Sequence, residues 1–266
     1  MKKTVCFILA ACLALSLCAC GGESYGVKTV LTLVEQEYSL AFRNDDVTYY
    51  YVAAAIEKLN SEGVVSELAY KWFGKDITTF GKDADAIEEI GMPAPRKFNI
   101  GLDPNAFPVS YTSSGTYWGF DIQLAMAVCD FLGWELQLQP IEKEEVYTQL
   151  YSGNIDCAWG GIALDEKDVA DGKYTVYGPY LQNDIVIASR DRGGVWNTLQ
   201  LSGSNVAMPT TPEATDALNS NKKIAKRFKQ VTRLAGGTTA CFTYLYSGKC
   251  DAVLTDSTAL YYYNSH

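Results

Sequence analysis

An α/β fold of two doubly wound lobes, facing each other across a cleft, is predicted by three features of the sequence. Strand and helix patterns alternate, β then α, almost throughout. The chain has 266 residues, which after its first twenty leaves enough for two domains of modest size, each with its own core. The stretch from Lys97 to Trp134 is the clearest unit. Its β run Phe98 to Leu102 ends at Asp103-Pro104-Asn105, a polar loop follows, and Gly119-Phe120-Asp121 opens a helix with Ile122, Leu124, Ala125, Val128 and Leu132 on one face. Ligands of such lobes sit outside the carboxyl ends of the strands, so Asp103 and the loop after it face a candidate site.

The other elements follow in order. Val27 to Val34 and Glu37 to Arg43 read as strands. Asn44-Asp45-Asp46 caps a helix through Ile56 and Leu59, and a second helix carries Val64, Leu68, Ala69, Trp72 and Phe73 before Gly74 stops it. Residues 75–95, with Gly81, Gly91, Pro93 and Pro95, read as a linker. Beyond the first clear helix come a strand at Glu135 to Pro140, a helix at Glu142 to Ser152, and a strand at Asn154 to Trp159 ending on Gly160-Gly161. Further strands are expected at 184–189, 206–208, 230–234 and 250–255, with helices after Pro212, from Gly237, and from Ser257.

Residues 1–20 read as an export segment. Lys2 and Lys3 precede an apolar run, Val5 to Leu17, too short to span a bilayer. Leu17-Cys18-Ala19-Cys20 has the pattern of a bacterial lipobox, with Cys20 as the lipidated residue of the mature chain. Without that segment the chain keeps 20 basic and 31 acidic residues, a net charge of −11, which argues against nucleic acid as a partner. The four cysteines outside the segment, Cys129, Cys157, Cys241 and Cys250, sit in apolar elements, where disulfides and buried free thiols are both ordinary. No CxxC or Cys/His cluster is present, so neither a zinc site nor another cofactor is expected.

The segment KFNIGLDPNAFPVSYTSSGTYWGFDIQLAMAVCDFLGW resembles the opening of the extracellular solute-binding proteins that serve ABC importers for amino acids and similar small polar solutes. EYSLAFRNDD and AIEKLNSEGVVSELAYKWFG resemble the C-terminal end of that family, yet here they come first. The resemblance therefore implies a type II periplasmic-binding-protein-like fold in circularly permuted order, its two lobes joined by two crossover strands. Lobe one is expected at 43–181, with 75–95 joining the ancestral termini, and lobe two is expected from 21–42 together with 182–266. The crossovers are expected near 40–43 and 180–183.

Four strand ends carry groups suited to a ligand: Asp103 with Phe107, Trp159 with Gly160-Gly161 and Ala163, Thr210-Thr211, and Asp256. In the resembled family the acid of the motif matching Thr255-Asp256-Ser257 accepts hydrogen bonds from a ligand ammonium; an N-cap on the last helix is the other reading of Asp256. Thr210 and Thr211 offer hydroxyls and N–H groups to a carboxylate or cap a helix. Gly160 and Gly161 admit close approach of a ligand or simply make a tight turn. Trp159, Phe107 and Tyr111 are candidate walls, with a core role for Trp159 equally open. The family's carboxylate-gripping arginine is expected where Asp168 stands, beside Lys167, so an ordinary α-carboxylate clamp is not expected, and Asp168 is a candidate third acid. Acids beside aromatics suit an amine or other cation.

The resemblance implies a monomeric, lipid-anchored receptor on the extracytoplasmic face of the cell membrane, binding a small polar solute for an ABC permease. Two alternatives use the same fold: a dehydratase-like enzyme working through cleft carboxylates, and a ligand sensor for a membrane receptor. The sole histidine, His266, is terminal, so no histidine base is available.

Overall fold

The structure, a computed structural model, describes residues 26–266; the lipobox and Cys20 lie outside the described residues. The strands are β1 (Val27–Val34), β2 (Glu37–Phe42), β3 (Lys97–Leu102), β4 (Asn105–Ala106), β5 (Ser110–Ser113), β6 (Thr116–Trp118), β7 (Glu135–Pro140), β8 (Cys157–Ala158), β9 (Thr175–Gln182), β10 (Ile185–Arg190), β11 (Asn205–Pro209), β12 (Gln230–Leu234) and β13 (Ala252–Asp256). The helices are α1 (Thr48–Ser61), α2 (Val64–Phe73), α3 (Ala86–Ile90), α4 (Phe120–Leu132), α5 (Val146–Tyr151), α6 (Glu166–Ala170), α7 (Pro212–Ser220), α8 (Lys222–Ala225), α9 (Gly237–Tyr246) and α10 (Ser257–Ser265).

Two five-stranded sheets form two lobes. Lobe one has the order β7-β3-β8-β2-β9 and lobe two β1-β10-β13-β11-β12. Both faces of each sheet are covered. The period of two in a strand sends Ile185 and Ile187 into one apolar cluster and Val186 and Ala188 into the cluster on the opposite face. In lobe one Leu40 and Phe42 enter the larger core while Ala41, between them, enters the smaller one.

The lobes are joined by β1 to β2 and by β9 to β10. This corrects the first expected crossover. Glu37–Phe42 hydrogen-bonds with β8 and β9 of lobe one, so the chain leaves lobe two at Glu35-Gln36 rather than at 40–43. Buried Tyr38, Leu40, Ala41 and Phe42 supply the reason, since only a central strand of lobe one covers that whole run. The second connection falls at Asn183-Asp184, one residue beyond the expected stretch.

Three other stretches differ from expectation. The polar loop after Asp103 folds into a small antiparallel sheet, β4-β5-β6. The helix expected over 142–152 is a 3₁₀ turn, capped reciprocally by Glu142 and Glu145, followed by α5. Residues 75–95 form a packed strap: Phe80 and Ile87 are buried, and Asn60 Nδ2 donates to the carbonyls of Phe80 and Gly81, both at 3.0 Å. The four cysteines are free and buried, and burial pushes the thiols of Cys129 and Cys241 up to about 12, leaving them protonated apolar fillers.

Candidate functional site in the interlobe cleft

Asp103 follows the carboxyl end of β3. Its N–H donates to the Gly160 carbonyl at 2.9 Å, which ties the β3 end to the turn after β8. Asn105 donates to Asp103 Oδ1 from its backbone at 2.8 Å and its side chain at 3.3 Å. Burial pushes the Asp103 carboxyl up to about 7 against those hydrogen bonds, and the negative charges of Glu213 and Asp256 push the same way. Those two acids belong to lobe two, so Asp103 faces across the cleft.

Asp256 closes β13, which pairs antiparallel with β10 so that Asp256 lies opposite Ile185. It flanks α10 but makes no side-chain capping bond, so its carboxylate is not used on that helix. Asn183, in the second connection, organises the junction. Its amide donates to Asp256 Oδ1 at 3.0 Å and to the Tyr38 hydroxyl at 2.6 Å, while its carbonyl accepts from the Thr258 hydroxyl at 2.7 Å. Burial pushes Asp256 up to about 6, the Asn183 hydrogen bond pulling it back. Tyr38 is held neutral, well above its ordinary value, by burial and by both cleft aspartates.

The glycine turn is built for its own neighbours. Gly160 has φ +119° and Gly161 φ +72°, and a Cβ on either would come within 2.9 Å of Leu102 or 2.3 Å of Ala106. Gly161 N–H donates to Asp121 Oδ2 at 3.1 Å, and the Tyr180 hydroxyl donates to the same oxygen at 2.6 Å. Burial pushes Asp121 up to about 7. Gly161 and Ala163 line the cleft, as does Asp103.

Several expected contacts go elsewhere. Trp159 is 1% exposed within the lobe-one core, because strand parity turns it into the cluster with Cys157 rather than toward the cleft. Thr210 is exposed outside the cleft lining. Thr211 lines the cleft, but its hydroxyl accepts the Ala214 N–H at 3.3 Å and caps α7. Phe107 turns away from the cleft and packs on α10, with ring centroids 4.8 Å from Tyr262 and 5.8 Å from Tyr263. Asp168 sits on α6 paired with Lys173 Nζ at 2.6 Å, so it does not serve as the third cleft acid.

That position belongs to Glu213, in the first turn of α7, with Glu142 from lobe one as a fourth. Lys143 is the only basic residue lining the cleft among the described residues, and Tyr38, Thr238 and Thr255 add polar groups. Gln36, Tyr38, Glu142, Glu213 and Thr238 were not singled out by sequence reasoning. Glu213 was legible as an acid two residues after a capping threonine; Tyr38 enters only once β2 is placed in lobe one. Empty space lies between the walls, about 740 Å³ when the open mouth is counted with it. Such walls can take a small cation and offer little to an anion.

Two α/β lobes joined by two strands, with candidate ligand groups on both facing edges, define a protein of the type II periplasmic-binding-protein-like class. The profile of the bacterial extracellular solute-binding proteins, family 3, matches residues 98–235, and the chain belongs to that family. An ancestral cationic amino acid solute-binding protein superposes with a TM-score of 0.51 at 23% identity, covering 66% of this chain and 74% of that one. A polar amino acid ABC uptake transporter substrate-binding protein from Streptococcus thermophilus is 27% identical with a TM-score of 0.46, over 60% of this chain and 61% of that one. The arginine-binding extracellular protein ArtP of Bacillus subtilis (strain 168) is 24% identical over 118 residues, 42% of this chain and 44% of that protein. The chain thus spans under half the length of that curated relative. Among the described residues no helix is long and apolar enough to cross a membrane.

Proposed function

We propose that this protein is the lipid-anchored, extracytoplasmic receptor of an ABC importer and captures an amino acid or related small amine-bearing solute between its lobes. The observation that carries the reading is the facing of Asp103 and Asp256 from opposite lobes, with Glu213 beside them and one lysine at the rim. An ammonium group between two carboxylates gains charge-assisted hydrogen bonds from both lobes at once, so binding draws the lobes together. The family and the arginine- and cationic-amino-acid-binding relatives support the same class of ligand. A thermal-shift screen of amino acids and amines on ligand-free protein tests it: at least one amine-bearing solute raises the melting temperature in a concentration-dependent way, and a flat response across the screen refutes capture. Cys20→Ser is expected to move the protein out of the membrane fraction; continued membrane association refutes the anchor.

Two acids with carboxyls raised toward neutrality are also what a carboxylate acid/base enzyme needs. Recovery of the bound solute chemically unchanged after prolonged incubation excludes that alternative.

The permuted order is part of the proposal. The family match begins at residue 98, at β3. The α10 end and the start of β1 meet, with Asn264 accepting the Val27 N–H at 2.7 Å and donating to its carbonyl at 2.9 Å. A chain rearranged to run 96–265 and then 25–75 through a short bridge is expected to fold and bind as the original does; loss of all structure refutes the permutation.

A further inference from the structure

Several donors that could hold a carboxylate in this cleft are used by the protein itself, and Lys143 is the one basic side chain of the lining among the described residues. Backbone N–H groups at helix starts and turns are the usual seat for an anion. At α7 the first residue, Pro212, has no N–H, the next residue is the acid Glu213, and the Ala214 N–H goes to Thr211. At α10 the Ser257 N–H goes to the Asp184 carbonyl and the Thr258 N–H to Asn183. In lobe one the Gly161 N–H goes to Asp121. Acceptors, by contrast, are in surplus. Asp103 and Asp256 each face the other lobe without a basic partner within salt-bridge distance among the described residues, and Glu213 and Glu142 add two more carboxylates to the lining.

Resting on the capture reading above, we infer that the preferred solute is a dication without a carboxylate, an aliphatic diamine or an amine with a guanidinium, whose two charged ends answer Asp103 and Asp256. A monocation would leave one acid facing Glu213 uncompensated, and a zwitterion would bring an anion into a lining with four acids and Lys143 as its one basic side chain among the described residues.

The test uses a matched pair differing by one carboxylate, 1,5-diaminopentane and L-lysine, titrated calorimetrically into the ligand-free protein at pH 8 and low salt. The diamine is expected to bind at least tenfold more tightly. Asp256→Asn and Asp103→Asn should each weaken the diamine at least tenfold, and melting curves of the empty variants confirm that they fold. Glu213→Gln, on an exposed residue, should lower diamine affinity several-fold and narrow its lead over lysine. Tighter binding of L-lysine or L-arginine than of the diamine overturns this inference and leaves amino-acid capture standing. Binding of neither amines nor amino acids overturns both.

Discussion

Phe107 and Asp103 leave lobe one four residues apart and meet lobe two in opposite ways. Phe107 goes into an aromatic contact outside the cleft, where Tyr111, Tyr262 and Tyr263 surround it and Trp72 reaches Tyr262 at 6.2 Å. Such pairs add about 0.5–1.5 kcal/mol each beyond their apolar burial, and nothing in the ring-to-ring packing of these five depends on charge near neutral pH. Asp103 instead faces Asp256 and Glu213, and all three repel. One contact is made without any solute; under the proposed capture, the other opposes closure until a cation arrives. A solute can shift the balance only by its differential affinity for the closed arrangement, and under the proposed capture the acid face supplies that difference.

Removing the charge on the cleft side is expected to have the largest effect. Asp256→Asn keeps an oxygen for Asn183 and removes the charge opposite the solute amine, at a cost of about 2–4 kcal/mol in binding free energy. Isothermal titration at pH 8 measures it, and the melting temperature of the empty variant should not fall. On the other side, Phe107→Ala should lower the melting stability by about 1–3 kcal/mol and weaken binding by a smaller amount, since it loosens closure without touching the solute. Denaturant melts with and without solute separate the two.

Proton linkage sharpens the contrast. Asp103, Asp121 and Asp256 have carboxyls raised to about 7, 7 and 6. A raised acid contributes stability that is full below its unfolded value and lost as pH rises through its folded value. The empty protein should therefore melt several degrees higher at pH 5.5 than at pH 8, with the gain entering between about pH 7.5 and 5.5, while saturating solute at pH 8 removes part of the difference. The groups facing Asp103 and Asp256 are Glu213, Glu142, Tyr38 and Lys143, while Asp121 faces the Tyr180 hydroxyl and the Gly161 N–H inside lobe one. A flat melting profile across that range contradicts the raised carboxyls, and Asp256→Asn should reduce the slope while leaving the share that Asp121 contributes. Asp168→Asn and Thr210→Ala, both outside the cleft lining, should change affinity by less than about 0.5 kcal/mol.

How much of this was legible in the sequence follows the reach of each signal. Local signals held well: the strand and helix around Asp103 and Asp121, the stop at Gly74 and the cap at Thr211 are written in neighbouring residues. Asp103, Gly161, Ala163, Thr211 and Asp256 do reach the cleft edge. What failed depended on pairing between distant segments. Whether Glu37–Phe42 belonged to lobe one or two was decided by partners at Cys157 and Thr175 onward, and the side to which Trp159 points was decided by that sheet's parity. Asp168 was placed by counting along a turn whose helix start takes it to Lys173 instead. Tyr38 enters the cleft only once β2 is placed in lobe one, and the convergence of Glu213 on Asp103 is visible only with the two lobes face to face.

The most direct single measurement is the proton count on binding. At pH 6.5 Asp103 and Asp256 are partly protonated in the empty cleft, and pairing with an ammonium lowers both. Titration of the best amine from the screen in two buffers of different ionisation enthalpy should show net proton release, approaching one per solute, and the release should fall toward zero by pH 8.5. Binding with no proton release at pH 6.5, or with uptake, would place the solute away from these acids and contradict the account.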